Sequence, residues 1–294
     1  MVAWEAHFMA TTTARPMDLG DGPRACVRGF LTRPFGRLYY EVAGEGPAIV
    51  FAHGLGGSHL SWWQQVPAFC ARYTCVTFAH RGFAPSDPVS GGPHPRDYVD
   101  DLEALIAHLA LTDVRIVAQS MGGWSAVEYA LRQPAALKGM VLAATSGTLD
   151  PRSVDGAGDA LEAWTRAAAP TLAECRQRSI HVAAGARMAM EQPAQHFLYA
   201  AIDSMNAALD KEGVRQRLGE TRVRGVDDAR RISVPTLFIT GEEDIVFPSV
   251  IAPRLAAALP KGHAVQIAAA GHSAYFERPG QFNRIVRDFF AGIG

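Results

Sequence analysis

The chain has 294 residues, 48% of them apolar and 19% charged, with a formal net charge of -1. That length suits one large core, or a core with an inserted lobe, and the composition excludes a disordered chain. The balanced charge argues against a nucleic-acid or membrane-surface partner held by bulk electrostatics, and no apolar run reaches the ~18–20 residues of a membrane span.

Residues 1–23 read as a loose N-terminal arm. They carry neither the basic n-region nor the apolar h-region of an export signal, so a cytoplasmic location is the default expectation. The four cysteines, Cys26, Cys70, Cys75 and Cys175, show no metal or redox spacing and read as free thiols. From about Arg24, short apolar strands alternate with amphipathic helices. The strands expected are Cys26–Thr32, Arg37–Ala43, Ala48–Ala52, Thr74–Ala79, Val114–Ala118, Gly139–Ala143, Pro235–Thr240 and Ala264–Ala268. The later ones are continuous apolar runs, as parallel strands covered on both faces require. The first two, joined by the tight segment Arg33–Gly36, form an expected antiparallel hairpin at one edge.

Two helices carry the other period. Over Arg96–Ala110, Tyr98, Leu102, Leu105, Ile106 and Leu109 share a stripe; over Gly280–Phe290, Phe282, Ile285, Val286, Phe289 and Phe290 do. Strands alternating with such helices imply a doubly wound, mostly parallel eight-stranded α/β sheet. The alternation breaks between Ser146 and Arg231, an Ala-, Arg- and Met-rich, helix-prone stretch bounded by turn residues. The expectation is a core of residues 24–145 and 232–294 with a helical cap, residues 146–231, inserted into it. The plainer reading is ordinary helices flanking the sheet.

Four segments carry chemistry, each at the carboxyl end of an expected strand, where open α/β sheets bind ligands. In Ala118-Gln119-Ser120-Met121-Gly122 a strand turns sharply into a helix striped by Trp124, Val127 and Leu131. A serine there is exposed at the sheet edge, needs small neighbours two positions away, and lies beside the first N–H groups of the helix. Alone, it is equally readable as a serine N-cap. In Ala52-His53-Gly54-Leu55-Gly56-Gly57 a strand enters a glycine-rich loop whose N–H groups can face a cleft. An oxyanion hole needs two such donors, and the backbone N–H groups of Leu55 and Met121 are the candidates. His53 reads as a residue that orders this loop. In Gly241-Glu242-Glu243-Asp244 a strand delivers carboxylates, of which Asp244 lies on a turn over apolar ground. Ala270-Gly271-His272 places a histidine after the last strand. The order Ser120, Asp244, His272 is the one this sheet topology predicts for nucleophile, orienting acid and general base.

These segments resemble the α/β-hydrolase superfamily over nearly the whole chain from about residue 30. The loop His80-Arg81-Gly82-Phe83-Ala84-Pro85-Ser86-Asp87 is also similar to the Asp-x-Arg-Gly-x-Gly-x-Ser loop of that family. Ala118 stands where the elbow often has Gly, and His80 and Ala84 replace other common choices. The resemblance implies acyl transfer on a carboxylic ester or lactone of a small-to-medium apolar substrate, with no metal or organic cofactor. His53, Gly54, Trp124, Trp164 and Phe197 are the expected pocket residues. The stretch Gln119-Ser120-Met121-Gly122-Gly123 also resembles the elbow of C–C hydrolases of dienoic ring-cleavage products. Those enzymes commonly carry Trp directly after the catalytic His, where this chain has Ser273. A non-hydrolytic member, either a cofactor-free oxygenase or peroxidase-like enzyme or a binding protein on a spent scaffold, is the third option. The partner implied is a small-molecule substrate, with a homodimer left open.

Overall fold

The structure, a computed structural model, describes residues 26–293; the arm expected over residues 1–23 lies outside them. One sheet holds eight strands: β1 (Val27–Arg33), β2 (Gly36–Ala43), β3 (Ala48–Ala52), β4 (Thr74–Phe78), β5 (Val114–Gln119), β6 (Leu137–Ala143), β7 (Thr236–Gly241) and β8 (Gly262–Ile267). Their order is β1-β2-β4-β3-β5-β6-β7-β8. β2 runs antiparallel to both β1 and β4, and every other pair is parallel. The chain leaves β3 outward to β4 and then returns to the other side of β3 as β5. The crevice that opens at such a switch point is where open sheets place ligands, and here Ala52 of β3 pairs with Ala118 of β5. The loops carrying Leu55 and Ser120 therefore leave the sheet side by side.

The helices are α1 (Val66–Phe69), α2 (Tyr98–His108), α3 (Gly122–Leu131), α4 (Ala157–Gln177), α5 (Gly185–Glu191), α6 (Pro193–Ser204), α7 (Lys211–Glu220), α8 (Val226–Arg230), α9 (Ala252–Ala258), α10 (Ala274–Glu277) and α11 (Pro279–Ala291). The period-two alternation of the strands divides the core. Val50, Ile116, Leu142 and Phe238 face one side, where α2, α3 and α9 supply Leu102, Leu105, Val127 and Leu255. Ile49, Phe51, Val117, Val141 and Ile239 face the other, against Phe282, Val286 and Phe290 of α11. Burying each such side chain contributes roughly 1.5–3 kcal/mol, so this stripe, rather than intrinsic propensity, holds α11 in place.

Five helices, α4 to α8, lie between β6 and β7. A single parallel bridge, Leu149 with Arg224, ties the two ends of the stretch. Its last helix joins the sheet layer: Ala229 and Ile232 pack into the cluster that holds Phe238. α7 packs on the start of α3, with Val214 and Leu218 against Met121 and Trp124. No helix among the described residues is long and apolar enough to cross a membrane. All four cysteines are free thiols.

Under the loop after β4, Asp101 is fully buried. It accepts from Arg81 Nε at 2.6 Å and Nη2 at 2.7 Å, and from Arg33 Nε at 2.9 Å. A carboxylate out of water needs such partners. The network seats the loop at His80, whose backbone N–H donates to His53 Nε2 at 3.0 Å.

Candidate active site

Ser120 occupies the single turn between β5 and α3 with φ of 48°, in the left-handed region. For a residue with a Cβ this costs about 1–3 kcal/mol and persists only where the surroundings impose it. They do: the Ser120 N–H is tied to Ala143 O at 3.0 Å, and its carbonyl accepts from Gly123 N at 2.9 Å. Gly122 has no room for a side chain, since a Cβ there would meet Ala52 O at 2.2 Å. The helix therefore starts hard against β3, and the serine is pushed up at the strand end.

His272 follows β8 in a loop that crosses the end of β7. That crossing needs Gly241, where a Cβ would meet Gly271 O at 2.1 Å. His272 Nδ1 lies 2.9 Å from Asp244 Oδ2 and 3.2 Å from Oδ1. Both residues are buried, at 4% and 3% exposure. Asp244 Oδ1 also accepts from the N–H groups of Val246 at 2.7 Å and Phe247 at 2.9 Å. The carboxylate is thus held from behind and can hold a proton on Nδ1, leaving Nε2 as the acceptor. Ser120 and His272 line one cavity of about 560 Å³. Their side chains share no hydrogen bond among the described residues; bonds of this kind often tighten only with substrate.

Leu55 and Met121 line the same cavity. Neither backbone N–H is taken by a backbone acceptor among the described residues. His53 explains how the first of these loops is shaped. Its Nε2 accepts from His80, so its Nδ1 carries the proton and donates to Gly54 O at 2.7 Å. Burial pushes its ring down to about 3, so it stays neutral.

The expected pocket residues divide. Trp124 lines the cavity. His53 is fully buried beneath the loop and Gly54 is packed against Gln119 and Ser120; neither lines it. Trp164 lies behind Asp244, donating Nε1 to Asp244 O at 3.2 Å and lining a neighbouring cavity. Phe197 points outward from α6 at 75% exposure, while Tyr199 from the same helix reaches the cavity. Gln119, Thr145, His181, Asp203 and Arg222, none of them expected from the sequence, also line it.

Glu277 was likewise not expected. It is buried at 2% exposure, and both carboxylate oxygens accept from the N–H of Gly271, next to His272, at 3.0 and 3.1 Å. Burial pushes its carboxyl up to about 7, against the pull of that N–H and of Arg278. Raised from an unfolded value of 4.5, it is neutral in both states at low pH. Above 4.5 the unfolded chain ionises first, so stability falls as pH rises and the loss is complete above 7. Glu277→Gln keeps an acceptor and removes the charge. Its Tm is expected to gain roughly 5 °C on the wild type between pH 5 and 8, at about 2–4 °C per kcal/mol. Parallel Tm profiles in a thermal melt series would show that Glu277 ionises freely.

A family profile described as "alpha/beta hydrolase fold" matches residues 47–279. The chain is 32% identical over 260 residues to a Mycobacterium tuberculosis protein named as the non-heme bromoperoxidase BpoC, covering 87% of this chain and 98% of that one. The crystal structure under that name superposes with a TM-score of 0.69, covering 87% and 96%. A protein of Agrobacterium fabrum named as the carbamate hydrolase RutD is 25% identical over 261 residues, covering 86% and 97%. The structure of Est816, titled as an N-acyl homoserine lactone degrading enzyme, superposes with a TM-score of 0.71 at 23% identity, covering 89% and 100%.

Proposed function

The chain belongs to the α/β-hydrolase fold family, and on that footing we propose that it is a serine hydrolase that cleaves a carboxylic ester or lactone through an acyl-enzyme. One observation carries the reading. A serine held in left-handed backbone opens onto the same cavity as a histidine whose far nitrogen is bonded to a buried carboxylate.

In this mechanism His272 Nε2 takes the Ser120 proton as Oγ bonds to the substrate carbonyl carbon. The carbonyl π electrons move to oxygen, and that oxyanion is bound by the N–H groups of Leu55 and Met121. Removing one such donor typically costs ~10²–10³ in rate. The tetrahedral centre collapses, the leaving oxygen takes the proton from His272, and the C–O bond to it breaks. Water, deprotonated by His272, then releases the acid. Asp244 fixes the tautomer and offsets the charge of the imidazolium. Residues 181–183 and the helices α6 and α7, which line the cavity, act as a cap over it, limiting water around the developing charge.

The relatives' names cover bromoperoxidase, carbamate and lactone chemistry, so fold alone does not choose the substrate. The test is fluorophosphonate labelling with peptide mapping, combined with a panel of esters, lactones, a carbamate and a dienoate. Label on Ser120 and turnover of esters or lactones are expected. Label elsewhere would remove the nucleophile assignment, and turnover of the dienoate alone would make the enzyme a C–C hydrolase.

A further inference from the structure

Resting on the hydrolase reading above, we propose that the substrate carries a carboxylate, and that Arg222 is the residue that selects it. The cavity lining carries Asp203, Lys211, Arg215 and Arg222 beside Trp124, and among the described residues these charges are paired with one exception. Lys211 Nζ is bonded to Asp203 Oδ1 at 2.7 Å, with His181 Nε2 3.6 Å from the same oxygen. Arg215 is paired with Glu212. Arg222 lines the cavity and makes no ion pair among the described residues. Its Nε is buried without a hydrogen-bond partner. Asp150, the carboxylate whose field reaches it, is already engaged by Arg152 through Nε at 2.9 Å, Nη2 at 2.8 Å and the backbone N–H at 2.9 Å.

The guanidinium is also held in place. Its Cζ lies 4.8 Å from the centroid of the Trp124 ring. Trp124 Nε1 donates to Thr221 Oγ1 at 3.0 Å, which staples the residue before Arg222 to the same ring. A half-buried guanidinium loses hydration, and the stacked ring replaces only part of it. The carboxyl end of α7 next to it contributes no more than about half a charge. A planar, oriented, unpaired guanidinium in a ligand-sized cavity matches a carboxylate, which accepts two parallel N–H bonds. Trp124 stands in the first turn of α3, which begins two residues after Ser120, and both residues line the same cavity as Arg222. The site therefore fits a small ester whose second carboxylate sits a few bonds from the scissile carbonyl, on either the acyl or the alcohol side.

Two substrate pairs test this in the wild type, R222M and R222K. One pair is p-nitrophenyl butyrate and the p-nitrophenyl hemiester of glutarate. The other is phenyl acetate and 4-acetoxybenzoate. The wild type is expected to favour the anionic member of at least one pair by ~10–100-fold in kcat/KM, the range of hydrogen bonds to charged groups. In R222M that ratio is expected to collapse toward one, and in R222K to recover in part. Glutarate is expected to raise the Tm of the wild type and not of R222M. Ester turnover with no anion preference in either pair, or a preference that survives in R222M, overturns the proposal and leaves the hydrolase reading standing. An Arg222-dependent glutarate shift in a protein that cleaves no ester supports the anion site and removes the hydrolase reading instead.

Discussion

Ser120→Ala is expected, on the proposed mechanism, to lower kcat/KM for the substrate by at least about 10⁴-fold, with no loss of fold. Removal of a triad serine costs as much as removal of the whole triad, and what survives comes from the oxyanion donors and binding. The substitution removes one oxygen and nothing else. Ser120 already has its Cβ at φ 48°, so alanine inherits the same strain, and the backbone bonds to Ala143 and Gly123 are retained. A thermal melt alongside the kinetics separates the two effects. Turnover within about 100-fold of the wild type, with an unchanged Tm, would mean that another group attacks the substrate.

Asp244→Asn is the second large effect, with an expected fall in kcat of about 10³–10⁴-fold. The geometry gives the reason. Oδ1 of Asp244 accepts from Val246 and Phe247, while Oδ2 is the oxygen nearest His272 Nδ1. An asparagine keeps the first pair of bonds with its carbonyl oxygen, so its NH₂ takes the place of Oδ2. That group can only donate, so the imidazole must present an unprotonated Nδ1 and carry its proton on Nε2. The base then faces Ser120 with a hydrogen where a lone pair is needed. The Tm is expected to change little, because the donors behind the side chain keep their acceptor. An active D244N with wild-type pH dependence would show that the carboxylate does not set the tautomer.

The strands and the stations at their carboxyl ends could be read from the sequence because each rests on local rules. Continuous apolar runs end in Gly, Ser or acidic residues, and the expected carboxyl ends of the strands lie within one residue of those observed, as with Thr74–Ala79 against β4, while the start of β8 is Gly262 rather than the expected Ala264. Leu137 and Lys138 belong to β6 although its expected start was Gly139; pairing with β5 extends the strand beyond its apolar run. The pocket was another matter. Phe197 and Tyr199 are both aromatic and two residues apart, which on a helix is about 200° of rotation. Only one can face the cavity, and packing of Tyr199 and Ile202 against Phe276 and its neighbours selects Tyr199. Trp164 finds its acceptor on Asp244, so its ring stands behind the carboxylate rather than beside the serine.

Arg222 and Glu277 mark the limit most clearly. Among the many arginines of the inserted stretch, Arg166, Arg178 and Arg187 pair with Glu162, Glu174 and Glu243, and nothing in their local sequence separates them from the one that enters the cavity. Glu277 reads as one more acidic residue before a helix, yet it is buried against Gly271. Sequence alone determined the order of strands and helices along the chain and which three side chains stand at strand ends, because periodicity and turn chemistry act over a few residues. Only the tertiary structure decided which faces of the inserted helices meet the sheet, which charges find partners and which one is left over, because those outcomes depend on contacts between residues far apart in the chain.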